Sequence, residues 1–346
     1  MSKTVIATGD TLAKKVFDEK LFRDSLKDTY FGSKMMSKSG DKPVYVKEDL
    51  EKNKGESIVF GLRMRATGAG VTGDATLENN EEALSFYNLT VTLEKYRHAI
   101  RDEGELSRQR PAFDMEDEMI MAIKGWGSEK LDQLCFDAQG IGDGATSNPT
   151  KVFYKTSAGL LAGSAATAKA ALTAADSKIT PGMVMGIKAW AKTGGARTYV
   201  PIRPIEDGGK KFFHLITHDD SLFDLKTDST YQQFLRDAEV RGKDNPLFTG
   251  AVAVIDSVII DENEKCAIAT DGGGASVAWT KASFFGQQAL CWAWGARPKL
   301  IERDFDYGDE LGTAWRVIAG VKRSAFNSLD YGSVGVWLAR SNIAGL

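Results

Sequence analysis

Apolar and polar positions along this chain follow two periods, and the period changes often. Val16, Phe17, Leu21, Phe22 and Leu26 recur at helical spacing in a segment that otherwise mixes Lys with Asp and Glu. This predicts a short amphipathic helix in an N-terminal arm that ends near residue 55. In "SIVFGLRMR", Ile58, Phe60, Leu62 and Met64 alternate with smaller or basic residues, and in "NLTVTLE", Leu89, Val91 and Leu93 alternate with Thr90, Thr92 and Glu94. Both stretches read as half-buried strands. From Phe113 to Gly140 the period lengthens again: Met115, Met119, Ile123 and Trp126, then Leu131, Leu134 and Ala138, mark one face of the longest helix in the chain. Gly125 and Gly127 interrupt it and predict a bend or a close neighbour.

After the loop-like "GIGDGATSNPT", helical and strand patterns alternate, as in a mixed second domain. A helix is expected to start with Pro181 in its first turn and to stop at "KTGGAR". "KKFFHLITHDDSLFDLKTD" reads as a buried strand feeding a helix capped by Asp219 or Asp220. "GAVAVIDSVIIDEN" and "ASFFGQQALCWAWG" supply further strands. "LIERDFDYGDELGTAWRVIAGVKRSAF" reads as a strand, a Tyr-Gly-Asp turn and an antiparallel return.

Composition narrows the classes. With 346 residues, 42% hydrophobic and 26% charged, the chain is long enough for one elaborate domain or two with a sizeable core. A formal charge of -3, with Lys and Arg dispersed, argues against a high-affinity nucleic-acid binder. Cys135, Cys266 and Cys291 are odd in number and widely spaced, which fits neither a disulfide framework nor a cysteine metal site. The N-terminus lacks the apolar core of a signal peptide and no stretch has the roughly 18 apolar residues of a membrane span. A soluble protein made in the cytosol, without contact with membrane, is expected.

Candidate chemistry is sparse. Gly68, Gly70 and Gly73 have the G-x-G-x-x-G spacing of a dinucleotide loop, with Glu94 near the position of a ribose-binding acid. The context is wrong: Arg63, Arg65 and Thr67 crowd the approach that a buried first strand should make, and the polar run after Gly73 is a poor helix. An extended hairpin with a projecting glycine-rich tip fits better. His214 and His218 lie on a strand and its exit, where four-residue spacing does not aim two imidazoles at one metal. "TDGGGAS" has neither the Lys-Ser/Thr pair nor the helix of a phosphate loop and reads as a flexible loop. Cys135 belongs to the apolar face of the long helix, and Trp292 and Trp294 share one face of a strand in a core or interface. No catalytic residue, cofactor or metal is assigned.

The order of elements, together with "KKVFDEKLFRDSLKDTYFG", "FGLRMRATGAGVTGDATLENNEEALSFYNLTVTLEKYRHAIRDEG", "KTGGARTYVPIRPI", "HLITHDDSLFDLKTDSTYQQ" and "GVKRSAFNSLDYGS", resembles the N-four-like family of tailed-bacteriophage major capsid proteins over nearly the whole chain. The resemblance implies an α+β Hong Kong 97-type fold. Residues 1–55 would be an N-terminal arm, 56–104 an extended β-hairpin loop, and 105–149 a peripheral domain whose spine helix buries Met115, Met119, Ile123 and Trp126. An axial domain would cover 150–295, and 296–346 would return as closing strands. The implied function is self-assembly into hexamers and pentamers of an icosahedral head around double-stranded DNA. Arg63, Arg65, Gly68, Gly70, Gly73, Glu78, Glu81 and Glu82 would make intersubunit contacts. Implied partners are a portal, a separate scaffolding protein, a decoration protein and weakly held DNA. The alternatives are a cytosolic α/β nucleotide-binding enzyme using the Gly68–Gly73 loop, or a tail or sheath subunit.

Overall fold

Alternating and fully buried apolar runs build two large sheets in this molecule. The computed structural model describes residues 30–32, 35–49, 55–64, 66, 68–74, 76–109, 115–197, 201–207, 209–237, 253–274 and 276–341. The helix expected at Val16–Leu26 lies outside these residues, as do Arg65, Thr67 and Phe113.

The chain first forms β1 (Met36–Ser37) and β2 (Val44–Lys47), then β3 (Ser57–Arg63), β4 (Phe86–Thr92) and β5 (Glu94–Arg101). β3 and β4 pair antiparallel, from Ser57↔Thr92 to Arg63↔Phe86, and make a two-stranded sheet of their own. Helix α1 (Glu105–Gln109) precedes α2 (Met115–Gln139), whose 25 residues span about 37 Å at 1.5 Å per residue. Met119, Ile123, Leu131, Cys135 and Phe136 of α2 are buried, while Met115, Trp126, Leu134 and Ala138 are half-buried. Gly127 explains itself: a Cβ there would stand 2.8 Å from the Trp315 ring, so the missing side chain lets helix and sheet close. At Gly125 a Cβ would meet nothing within 4 Å.

Beyond the loop at 140–150 come β6 (Val152–Thr156), β7 (Gly159–Gly163), α3 (Ala165–Ala171), α4 (Pro181–Arg197), β8 (Ile205–Asp207) and β9 (Lys210–Thr217). These lead into α5 (Asp219–Thr227), α6 (Ser229–Asp237), β10 (Ala253–Ile255), β11 (Val258–Glu262), β12 (Ile268–Gly272) and β13 (Val277–Phe285). The chain closes with β14 (Leu290–Phe305), β15 (Glu310–Arg323), the small pair β16 (Ala325–Phe326) and β17 (Leu329–Asp330), and β18 (Ser333–Ala339).

Two large sheets result. The first has the order β1-β2-β14-β15-β5, and α2 lies on it over a core that includes Ile123, Phe136, Trp292, Trp294 and Trp315. The second has the order β10-β11-β9-β13-β18-β6-β7, with β12 on β13 and β8 on β9. One of its cores joins α4 and α5 to Phe213, Leu215, Phe284 and Val336. Ile216 and Phe285 belong to the first core, so the two sheets share packed interior. The chain crosses residue 295 in both directions: β14 starts in the first sheet at Leu290, and β18 returns to the middle of the second.

Arg323 braces the junction. Its Nε donates to Asp330 at 2.6 Å and its guanidinium reaches the Asn148 carbonyl at 3.0 Å, while Asp330 also accepts from the Thr150 amide at 2.6 Å. Buried charge of this kind is stable only when its hydrogen-bonding groups are met, and here they are.

Three local expectations need correction. α4 continues through the glycines of the expected stop to Arg197. Each glycine costs about 1 kcal/mol against Ala, and the buried Val184, Ile187 and Ala191 anchor the helix. The α5 cap is His218, whose Nδ1 accepts from the Asp220 amide at 3.2 Å; Asp219 and Asp220 occupy the first turn. In "TDGGGAS" the turn is anchored at Gly273, whose amide donates to the Lys169 carbonyl at 2.9 Å and where a Cβ would collide with the Leu172 carbonyl, while Gly274 stands in open space.

Candidate assembly surface

The β3–β4 hairpin is tied down at its root and exposed at its far end. At the root, Ile58, Phe60 and Val91 face inward and share a small core with Cys291 and Ala293 of β14. Val59 pairs with Thr90 across the ribbon, and both carbonyls accept from lysines: Lys47 Nζ reaches Val59 at 2.9 Å, and Lys322 Nζ reaches Thr90 at 2.9 Å. One lysine comes from β2 and the other from β15, so the first sheet grips each open edge of the ribbon. Charged groups on an edge also keep it from pairing with a stray strand.

Beyond Arg63 the paired strands end, and the described residues from 64 to 85 form no helix or strand. The Gly68 amide donates to Glu82 Oε2 at 2.7 Å, which draws the two arms of the loop together. Gly70 and Gly73 have φ of 71° and 69°, the left-handed region that glycine adopts without strain. No helix follows Gly73; the next regular element is β4. The loop therefore lacks the strand-turn-helix frame that a dinucleotide needs.

Glu78 and Glu81 are exposed and make no hydrogen bond or ion pair among the described residues, whereas Glu82 is occupied by Gly68. Arg63 is exposed at the outer end of the paired strands, opposite Phe86, and pairs with none of these acids; Arg65 lies outside the described residues. From Ala66 to Leu93 the chain carries four acids and no Lys, Arg or His. Sequence reasoning missed the apolar half of this surface: Leu77, Leu84 and Phe86 are 63%, 57% and 67% exposed. Their signal was available, since large apolar residues in a polar projecting loop have no subunit interior to enter.

The other candidates serve the subunit. His214 Nδ1 lies 2.9 Å from Asp261 Oδ2, which also accepts from the Tyr30 hydroxyl at 2.5 Å. Asp132 accepts the Tyr30 and Phe31 amides at 2.9 and 3.2 Å. These contacts fasten the chain at residues 30–31 to α2 and the second sheet. All three cysteines are buried; burial raises the Cys135 thiol well above its ordinary range and pushes Cys291 up to about 12, which suppresses the thiolate. No group of His, Cys, Asp and Glu among the described residues is arranged to hold a metal, and no helix there is long and apolar enough to cross a membrane.

Comparison with known proteins gives this surface its context. The family described as phage capsid protein matches residues 5–336. The major capsid protein of Pseudomonas phage KPP25 is 28% identical over 327 aligned residues, covering 83% of this chain and 84% of that protein. Among solved structures, the capsid of Ralstonia phage GP4 matches with a TM-score of 0.77 at 24% identity, covering 99% of each chain. The cyanophage Pam1 capsid matches with a TM-score of 0.76 at 22% identity, covering 92% of this chain and 93% of that one. At these identities the structural likeness is one of fold, and the α+β architecture is a phage capsid fold of the Hong Kong 97 type. A match over almost the whole length, joined to the same fold, means that the chain belongs to the phage capsid protein family and is a shell-forming subunit of a bacteriophage virion.

Proposed function

We propose that copies of this chain form the rings of five and six of an icosahedral phage head, and that each subunit holds its neighbour through the β3–β4 hairpin. The observation that carries this reading is the contrast within the hairpin: a root packed on β14 and gripped by Lys47 and Lys322, and an end whose leucines, Phe86 and acids are left to solvent. A projection that exposes apolar surface in the monomer gains stability by covering it on a second subunit. Ring closure repeats one heterologous contact until no free end remains. Arg63, Arg65, Gly68, Gly70, Gly73, Glu78, Glu81 and Glu82 act in this contact, with Gly70 and Gly73 providing the turn and Glu82 its internal tie.

In this reading residues 1–55 are the arm, 56–104 the extended loop, 105–149 the peripheral unit with α2 as spine, and 150–295 the axial unit around the ring centre. Residues 296–346 close the peripheral unit and lend β18 to the axial sheet. Spine residues Met115, Met119, Ile123 and Trp126 hold the subunit together. The work is assembly without catalysis. A portal, a separate scaffolding protein and a decoration protein complete the particle. The net charge of -3 gives packaged double-stranded DNA only a weak, non-specific contact with the wall.

Replacing residues 66–85 by a short glycine linker tests the hairpin's role. Circular dichroism of the subunit should be unchanged while electron microscopy finds no closed shells. Normal shells from the shortened chain would remove the hairpin from the assembly contact.

A further inference from the structure

A cleft of about 340 Å³ opens along the outer half of β3, where Phe60 to Met64 meet the segments at 201–203, 287–288 and 324–331. Its lining includes Arg63 and Arg203 and, among the described residues, contains no Asp or Glu. Neither arginine forms an ion pair among the described residues. Phe60, Met64, Phe326 and Tyr331 give the same cleft an apolar wall, and Gln287 adds an amide. Two guanidinium groups with no ion pair among the described residues, beside an apolar wall, suit an acidic peptide flanked by apolar side chains.

Such a peptide is present in the chain itself. Residues 77–84 read Leu-Glu-Asn-Asn-Glu-Glu-Ala-Leu, with both leucines exposed and with Glu78 and Glu81 unpaired. Within its own subunit this segment does not line the cleft. We infer that this cleft beside β3 of one subunit receives the 77–84 segment of a second copy, with Glu78 and Glu81 meeting Arg63 and Arg203 while a leucine packs on the apolar wall. The inference rests on the reading of the hairpin as the intersubunit arm and supplies its receiving site. It makes the contact head to tail: every subunit offers one loop end and one cleft, which is the geometry that closes a ring. Opposite charges that meet at a partly covered site also fix register, because a wrong register leaves like charges together.

Charge exchange tests the pairing. Arg203→Glu alone, or Glu78→Lys with Glu81→Lys, should lower the yield of shells, and combining all three changes should restore it. A second pair of variants guards against simple misfolding: Leu84→Cys with Gln287→Cys in one chain should form disulfides between subunits on oxidation. Cys291 lines the cleft, so the pair is placed on a Cys291→Ser background; Cys135 and Cys266 are buried away from it. A ladder of linked subunits on denaturing gels, together with rescue by the triple variant, is the expected result. Shells that assemble without any ladder, and acid reversals that Arg203→Glu fails to rescue, would overturn the cleft as the receiving site. In that case the hairpin would remain the arm, provided that deletion of 66–85 still abolishes shells. If that deletion leaves shells intact, the hairpin reading itself fails.

Discussion

Gly125 and Gly127 sit two residues apart in one helix, and only one of them is needed by the subunit. At Gly127 a methyl group would press on the Trp315 indole, so Gly127→Ala should destabilise by about 1–3 kcal/mol through overpacking. At Gly125 the space is open, and Gly125→Ala should stabilise the isolated subunit by up to about 1 kcal/mol through helix propensity. Urea unfolding of the two variants should move in opposite directions. Sequence alone could not separate them, because the deciding ring arrives from β15. Asp132 carries a second residue-scale expectation. Burial is the leading cause that raises its carboxyl above the ordinary aspartate range, outweighing the Tyr30 and Phe31 amides and Lys265. The folded chain therefore keeps this proton to higher pH than the unfolded chain does. The resulting stability is full below the unfolded pKa and is lost as pH rises through the folded one. Asp132→Asn removes that dependence at the cost of one of the two amide acceptors. Relative to its parent, the variant should gain stability as pH rises from acid to neutral in a urea series. A constant difference would mean that Asp132 does not titrate differently on folding.

At the scale of elements, alternation made β3, β4 and the β14–β15 return legible, and the 3.6-residue period made α2 legible, because in each case one face is buried by its own subunit. What the pattern could not carry were contacts made across the chain. The α5 cap went to His218 because a ring nitrogen reaches the Asp220 amide, a role that the adjacent aspartates mask in a sequence. The glycines of "TDGGGAS" read as flexible until the carbonyls of Lys169 and Leu172, a hundred residues earlier, are seen beside them. The lysine grip on the hairpin was hidden for the same reason. Lys47 and Lys322 together should set the hairpin's angle. Changing both to Met removes two side-chain hydrogen bonds, each worth about 0.5–1.5 kcal/mol. Hydrogen exchange of β3 and β4 amides should then quicken by roughly 5- to 100-fold, about what the two bonds together imply, with the circular-dichroism spectrum unchanged. Unchanged exchange would leave the small core around Phe60 as the sole fastening.

At the scale of the molecule, two sheets share interior, a hairpin fastened to the first of them projects beyond it, and the subunit exposes at that hairpin the apolar and acidic groups it cannot use itself. The fold and family were legible from element order and sequence words. The surface that receives the hairpin was not, since a cleft is assembled from segments between β2 and β17 that no local pattern joins. Salt should separate the two parts of the contact: if charge guides it, added salt should lower shell yield as exposed ion pairs are screened, while the apolar contacts persist. Cryo-electron microscopy of the assembled particle tests the central claim most directly. Closed icosahedral shells are expected, in which a two-stranded ribbon leaves every subunit and ends on the next one in the ring. Open tubes, or shells in which residues 57–92 fold back on their own subunit, would contradict it.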